Sequence, residues 1–429
     1  MKCIEDEIPF ELPKGWEWCR LKHICMMAAG KAKSSDQIKT NPFEGGYPCF
    51  GGNGVRGYVD ENNHDGTFSI IGRQGALCGN INIASGKFYA TEHAVVTILF
   101  AGIDFNWSNY TLEALNLNDY ATGAAQPGLS VVNVLNVFVP VPPACEQIRI
   151  GNKISESIGI IDTIEHEKID LQTTISTVKS KILDLAIRGR LVPQNSDDES
   201  ASVLLERIRA KKEELIKQGK IKRDTKESVI FKGEDNSYYE KIGNEIKNID
   251  SIIPFVIPDT WQWCRGFSCF AGMESKKPSG EYFNYIDIDS IDNHLHKIKE
   301  PKHLLVSEAP SRARRTVCKG SILFSLVRPY LENVALIEEE YANCIASTGF
   351  YVCNSSGILH PEYMFFLMIS RYVVNGLTHY MKGDNSPSIS KDNIENWLYP
   401  VPPLNEQKTI CQKLKIIFTK IETIEKSLN

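Results

Sequence analysis

The chain has 429 residues, 42% of them hydrophobic and 24% charged, and a formal net charge of −5. That length exceeds one ordinary core and implies two or three domains, while the composition excludes a disordered or fibrous chain. No apolar run approaches the roughly 18 residues of a membrane helix, and the mild acidity excludes binding of nucleic acid through net charge, so any such binding rests on local basic patches.

The N-terminus, Met1 to Glu7, has no apolar run behind a basic start, so a cytoplasmic protein with no membrane partner is expected. Twelve cysteines are scattered without a Cys-x-x-Cys pair, which reads as reduced, mostly buried thiols and no metal site. Residues 1–143 read as a β-rich domain. Residues 47–59 suggest a strand, a Gly/Asn turn and a second strand, followed by strands over 67–71 and 95–100 and a helix over 107–117. Set among its glycines are polar and basic candidates for DNA contact: Lys31, Lys33, Arg56, Arg73 and Gln74, with Gln126 and Ser130 later in the domain. A Pro140-Val141-Pro142-Pro143 hinge closes it. Proline restricts the residue before it to extended geometry yet is tolerated at a helix start, so the hinge ends a domain and launches a helix.

That helix, residues 144–190, carries the clearest periodicity in the chain. Ile150, Ile154, Ile161, Ile164, Leu171, Ile175, Val178, Ile182 and Leu185 fall on two positions of one heptad, interrupted by Ser157 and Lys168. Such spacing makes a coiled-coil seam. Residues 191–252 follow as an amphipathic helix, 201–218, and a polar linker. Residues 253–403 form a second domain, with strands over 321–327 and 349–353 and a helix over 362–368. Between residues 296 and 328 the local balance is +6, and Lys297, Arg312, Arg314, Arg315 and Arg328 are the candidates there to face phosphates or guanine. Ser386 and Ser388 stand near the end of the domain. A last helix, 404–429, offers Ile410, Leu414, Ile417, Ile421, Ile424 and Leu428 as the partner seam. Because it is the shorter of the two, the central seam over 171–185 is expected to need other cover, from partner subunits or from the segment after Arg190.

The chain also repeats itself. Ile8-Pro9-Phe10-Glu11-Leu12-Pro13-Lys14-Gly15-Trp16-Glu17-Trp18-Cys19-Arg20 recurs from Ile253 to Arg265 with eight identities at an offset of 245. Gln126 to Ser130 lies opposite Ser386 to Ser390, and the hinge Pro140 to Gln147 lies opposite Pro400 to Gln407, now at an offset of 260. Matching ends and dissimilar middles suggest one fixed frame holding two variable readers.

Three stretches invite an enzymatic reading. Phe50-Gly51-Gly52-Asn53-Gly54 fits the Phe-x-Gly-x-Gly loop that receives S-adenosylmethionine, but that loop needs a helix after it and a strand follows here, which favours a hairpin. Glu165-His166-Glu167-Lys168 contains Glu-x-Lys, as nuclease sites can, and reads better as a solvated helix face. Thr91-Glu92-His93 could be an acid/base or metal pair, although no further ligand stands at suitable spacing. No catalytic and no cofactor-binding residue is assigned, and no Gly-x-x-x-x-Gly-Lys-Ser/Thr loop is present.

The paired Trp16/Trp18 and Trp261/Trp263 stretches, the paired Pro-Val-Pro-Pro-x-x-Glu-Gln hinges and the central run Lys181-Ile182-Leu183-Asp184-Leu185-Ala186-Ile187-Arg188-Gly189-Arg190-Leu191-Val192-Pro193-Gln194 together resemble a specificity subunit of a type I restriction-modification system. The resemblance covers nearly the whole chain. It implies an α+β fold: two β-rich α/β target-recognition domains separated by two long antiparallel coiled-coil helices, with an internal pseudo-twofold repeat. It also implies a non-catalytic role in which each domain reads one half of a bipartite double-stranded DNA target, while the helices set the spacer and dock two methyltransferase subunits, with restriction and translocase subunits joining the full complex. S-adenosylmethionine, ATP and magnesium are then expected on the partners and not on this chain. The rival reading is a stand-alone adenine-specific DNA methyltransferase with its own recognition domain; a coiled-coil adaptor without DNA binding is a third.

Overall fold

The computed structural model describes residues 8–75, 77–122, 127–220 and 227–427. It divides into two compact units, Met1–Glu167 and Lys168–Asn429. Gln126 and Leu428, a candidate contact and a seam residue, lie outside the described residues.

In the first unit the chain runs β1 (Glu17–Arg20), β2 (Cys25–Ala29), β3 (Tyr47–Gly51), β4 (Gly54–Val59), β5 (His64–Asp65), β6 (Phe68–Gly72), β7 (Ile81–Ala84), β8 (Lys87–Ala90) and β9 (Ala94–Leu99), then α1 (Phe105–Ala114), α2 (Val131–Leu135) and β10 (Phe138–Val141). Two four-stranded sheets result, ordered β2-β9-β6-β7 and β4-β3-β8-β5, while β1 pairs antiparallel with β10. The expected strands all form. Helix α1 starts two residues before the expected 107 because Asp104 caps it, its carboxylate accepting from the Trp107 backbone N–H at 2.9 Å. Strand β6 is buried on both faces, at Ser69, Ile70 and Ile71, because the second sheet covers one side and α1 and α2 the other.

Helix α3 (Ala144–Ile187) begins in the first unit and ends in the second. The second unit continues with α4 (Ala201–Lys217), β11 (Ser228–Lys232), β12 (Tyr238–Ile242), β13 (Glu245–Asn248), β14 (Gln262–Arg265), α5 (Gly266–Cys269), β15 (Phe270–Ala271), β16 (Tyr282–Ile286), β17 (Ile291–Asp292), β18 (Lys297–Ile298), β19 (Lys302–Leu305), β20 (Ala313–Thr316), β21 (Ile322–Ser325), β22 (Val334–Leu336), β23 (Ile345–Ser347) and β24 (Phe350–Ser355). It closes with α6 (Pro361–Met368), α7 (Arg371–Thr378), α8 (Lys391–Asn396), β25 (Leu398–Val401) and α9 (Leu404–Ser427). Its sheets, β15-β24-β21-β22 and β19-β16-β23-β20, repeat the two sheets of the first unit strand for strand, down to one parallel pair in each, β3 with β8 and β16 with β23. The repeat therefore extends through the dissimilar middles, with the β17–β18 hairpin as an insertion.

Residues 191–252 are more than the expected helix and linker, since β11, β12 and β13 make a three-stranded antiparallel sheet. Alternation of apolar and polar residues there is short and crowded by charge, which hides the strands. The sheet is fastened by Arg265, whose guanidinium donates to both Glu240 carboxylate oxygens at 3.0 and 2.7 Å, and by Ser228, which donates to the same carboxylate at 2.6 Å. Burial pushes the Glu240 carboxyl up, but Arg265 and Ser228 outweigh it and hold the group below its ordinary range.

In the second unit α3 and α9 run antiparallel, because Lys179 pairs with Glu425 at 2.7 Å while Gln194 and Asp198, beyond the end of α3, bond Glu406 and Asn405. Ile410 and Leu414 are fully buried in one core with Leu183, Ala186 and Ile187, Ile417 and Ile421 are half-buried, and Ile424 is exposed. Along α3 the seam divides: Ile175 is 7% exposed, and Ile150, Ile154, Ile182 and Leu185 are half-buried, yet Ile161 and Ile164 are 54% and 58% exposed and Leu171 and Val178 are exposed too. The uncovered part is thus centred on 158–171 and not on the expected 171–185. Length explains it, since α9 has 24 residues, about 36 Å, against 44 residues, about 66 Å, for α3. Close to the end of α3, Leu191, Val192, Ala201 and Leu205 share the core of Leu183, Ala186 and Ile187, so the segment after Arg190 covers that end of the helix, while Leu171 and Val178 stay exposed.

The opening stretch of the second domain is sealed by that same segment. Glu406 is buried, and its carboxylate accepts from Trp261 Nε1 at 2.9 Å and from Gln194 Nε2 at 2.6 Å. Gly189 sits at φ +68, where an added Cβ would meet Pro258 at 2.4 Å, so only glycine lets the chain turn against Trp261. All eleven described cysteines are free thiols and eight of them are buried.

Candidate nucleic-acid interface

In each unit three connections meet over one end of the sheets. In the first unit the Arg73 backbone N–H donates to His93 O at 2.9 Å, Leu129 N–H donates to Arg73 O at 2.9 Å, and Gly75 N–H donates to Pro127 O at 3.1 Å. In the second, Leu326 N–H donates to Gly349 O at 2.8 Å, Ile389 N–H to Leu326 O at 2.9 Å, and Arg328 N–H to Pro387 O at 2.8 Å. Thr122 with Gly128 and Lys382 with Ser388 add the same reciprocal pair. One backbone frame is built twice.

Its side chains differ. Gln74 stands where the other copy has Val327, Gly128 where it has Ser388, and His93 where it has Gly349, each pair defined by the shared bonds. Gly75 and Arg328 occupy one position as well, and both are left-handed, at φ +95 and +48. Glycine adopts that geometry freely, whereas an arginine there costs on the order of 1–2 kcal/mol. Arg328 keeps it with help from its own guanidinium, which donates to Asn385 O at 2.8 Å.

Around the first frame an open groove of about 580 Å³ exposes Asn53, Val55, Arg56, Gln74, Leu77 and His93. The glycines permit it: a Cβ on Gly72 would stand 1.9 Å from Gly52 O, so the β3–β4 turn rests directly on the loop after β6. Arg56 donates to Ser35 Oγ at 2.8 Å, and Arg73 is half-buried. Lys31 is exposed, its backbone N–H held by Ala90 O. Lys33 is occupied, its ammonium 2.7 Å from Glu61 and 5.3 Å from the centre of the Tyr89 ring. Ser130 stands at the start of α2, as Ser390 does at α8.

Around the second frame, Thr348 N–H donates to Arg312 O at 2.8 Å, which brings exposed Arg312 next to Gly349 and the Arg328 loop. Ser386 is exposed and Ser388 half-buried in the same cluster. Arg314 and Arg315 lie on β20, an edge strand, with Arg314 Nε donating to Ser311 O at 3.2 Å and Arg315 Nη1 to Ser275 Oγ at 3.0 Å. Lys297 lies apart, on the inserted β17–β18 hairpin. Asn53, His93, Val327, Lys382 and Asn385 belong to the clusters although nothing in their spacing marks them as candidates; the aligned stretches that end at Ser130 and Ser390 carry the signal, since one frame closes on Pro127 to Leu129 and the other on Pro387 to Ile389.

The enzymatic motifs resolve differently. Residues 50–54 are a tight hairpin turn between β3 and β4, with Gly54 at φ +87, so no helix start faces a cofactor there. Glu165, His166 and Glu167 lie on an exposed face of α3. Glu92 and His93 approach to 3.4 Å within the β8–β9 turn.

A family model described as type I restriction modification DNA specificity domain matches residues 13–173 and again 274–429. The chain is similar to the type I restriction enzyme EcoprrI specificity subunit of Escherichia coli, 44% identical over 37% of this chain and 38% of that one. It is also similar to the EcoAI specificity subunit of the same organism, 22% identical over 96% of this chain and 78% of the relative. Among solved structures, the HsdS subunit from Thermoanaerobacter tengcongensis is 34% identical over 41% of this chain and 46% of that chain, at a TM-score of 0.38. The first of these relatives is thus matched over little more than a third of its own length.

Proposed function

The chain belongs to the type I restriction-modification DNA specificity family, and from that premise we propose that it is the non-catalytic subunit that selects the DNA target. Each globular domain reads one half of a bipartite sequence in double-stranded DNA through its loop frame, and α3 with α9 sets the spacing between the halves. The observation that carries this reading is the frame built twice with the same main-chain bonds and different outward groups, Gln74, Gly75 and His93 against Val327, Arg328 and Gly349. A fixed frame gives both readers the same approach to a groove, and side chains at its rim discriminate bases. Arg312, Arg314 and Arg315 supply phosphate contacts.

The exposed apolar stripe of α3, including Ile161 and Ile164, supports docking of two methyltransferase subunits, with restriction and translocase subunits added in the full complex. S-adenosylmethionine, ATP and magnesium then act on those partners, in the cytoplasm. Among the described residues no helix is long and apolar enough to cross a membrane.

Exchange of residues 8–140 for the first domain of another specificity subunit tests the division of labour. One half of the methylated target is expected to change and the other to stay, as read by mapping methylated adenines in cells that carry the exchanged chain. A change in both halves, or in neither, would overturn it.

A further inference from the structure

The two hinges fasten their helices in the same way. Gln147 Oε1 accepts from Asp104 N–H at 2.9 Å and Gln407 Oε1 accepts from His360 N–H at 2.6 Å, so each hinge glutamine holds the residue that caps α1 or α6. One turn further along the long helix the copies part. In the first unit that position is Gly151, where an added Cβ would stand 2.9 Å from Trp107 N and 3.0 Å from Asp104 Oδ1, so α3 is pressed onto the start of α1. In the second unit the 260-residue offset puts Cys411 there, and the residues facing it are His360 and Glu362, where the first unit has Asp104 and Asn106. A direct backbone contact has been replaced by an imidazole, a carboxylate and a thiol.

Their candidate ligand atoms all lie within 4.8 Å of one another, and no other such group stands among the described residues. Cys411 is 1% exposed, and His360 Nδ1 is buried with no hydrogen-bond partner, which is costly for a ring nitrogen unless something occupies it. Lys415, one further turn along α9, pairs with Glu362 and steadies its carboxylate. We propose that His360, Glu362 and Cys411 bind one zinc ion that joins α9 to α6. Zinc takes this mixture of nitrogen, sulfur and oxygen at about 2.0–2.3 Å in tetrahedral geometry, with water free to fill the fourth place. Ligands at that distance stand about 3.5 Å apart, so small rotamer changes close the set. Calcium and magnesium require oxygen shells and are excluded by the thiol and the imidazole. On binding, the Cys411 thiol loses its proton to solvent, and the thiolate and carboxylate together balance the charge of the ion. Sequence spacing cannot reveal this site, because two ligands come from the start of α6 and the third from α9.

The full chain, purified after expression with added zinc and gel filtration, is analysed for metal by mass spectrometry. One zinc per chain is expected, falling at least tenfold in Cys411→Ser and in His360→Gln, while Cys145→Ser, at an exposed thiol, keeps it. Replacement by cobalt gives a second measurement: a thiolate-to-cobalt absorption band is expected in the parent chain and not in Cys411→Ser. Chelation of the parent chain should also raise hydrogen exchange in α9 without raising it in α1, which keeps the proposal testable if a variant fails to fold. A zinc-free parent chain, or zinc retained by both variants, would overturn it.

Discussion

Replacement of Gln407 by alanine is expected to destabilise the second unit by about 3 kcal/mol, the sum of losing a fully buried amide with three partners. Its Oε1 accepts from His360 N–H, and its Nε2 donates to Ile358 O and Pro402 O, both at 3.0 Å. Alanine leaves one donor and two acceptors without this partner, each costing on the order of 1–3 kcal/mol where it stays buried and unpaired. The affected groups cap α6 and end the hinge, so the loss falls on the joint between α9 and the domain. Gln147→Ala removes two bonds, to Asp104 N–H and Pro142 O, and about 2 kcal/mol is expected there. Since a chain of two units need not unfold in one step, hydrogen exchange is the proper measurement. Protection should fall in α6 and α9 for the first variant and in α1 and the start of α3 for the second. Equal effects across both units in either variant would mean that the glutamines are not local fasteners.

Those glutamines also mark what the sequence made readable. The duplicated Pro-Val-Pro-Pro-x-x-Glu-Gln hinge, the Trp-x-Trp strands and the heptads are short-range patterns repeated at two offsets, so they align without any structure. What the aligned residues do was not readable. Glu406 has Trp261 and Gln194 as partners, from stretches far apart in the chain. The seam shows a similar limit. Heptads announce that a face is apolar and cannot say how far its partner reaches, which is why Ile161 and Ile164 carry the pattern as well as Ile175 does and yet stand exposed. The loops of the duplicated frame were hidden for another reason. Their frame is made of main-chain bonds, which accept almost any side chain, so Arg73 to Gly75 and Leu326 to Arg328 share a conformation without sharing a residue type.

Arg328 allows the role of a side chain in that frame to be separated from the fold. Its φ of +48 is the geometry that Gly75 adopts in the other copy, so Arg328→Gly should leave the loop in place and relieve on the order of 1 kcal/mol of backbone strain. The guanidinium bond to Asn385 O disappears with it, and offsets part of that gain. If the guanidinium reads a base, DNA affinity should fall by about 5- to 150-fold, equivalent to 1–3 kcal/mol. Methylation should then relax at one position of one half-site, with the other half-site unchanged. The contrast is the triple change of Arg312, Arg314 and Arg315 to alanine. If these arginines neutralise phosphates, their removal weakens binding to all sequences alike and lowers the slope of log affinity against log salt by about 0.9 for each phosphate no longer neutralised. Arg315 also bonds Ser275, so the triple variant needs its thermal stability measured beside its affinity, whereas the glycine variant should melt at or above the parent temperature. Filter binding over a salt series and methylation-site mapping decide between the two roles. Unaltered affinity and unaltered site sequence in a folded Arg328→Gly chain would remove this loop from the DNA interface, and with it the reason to read the duplicated frame as a pair of base readers.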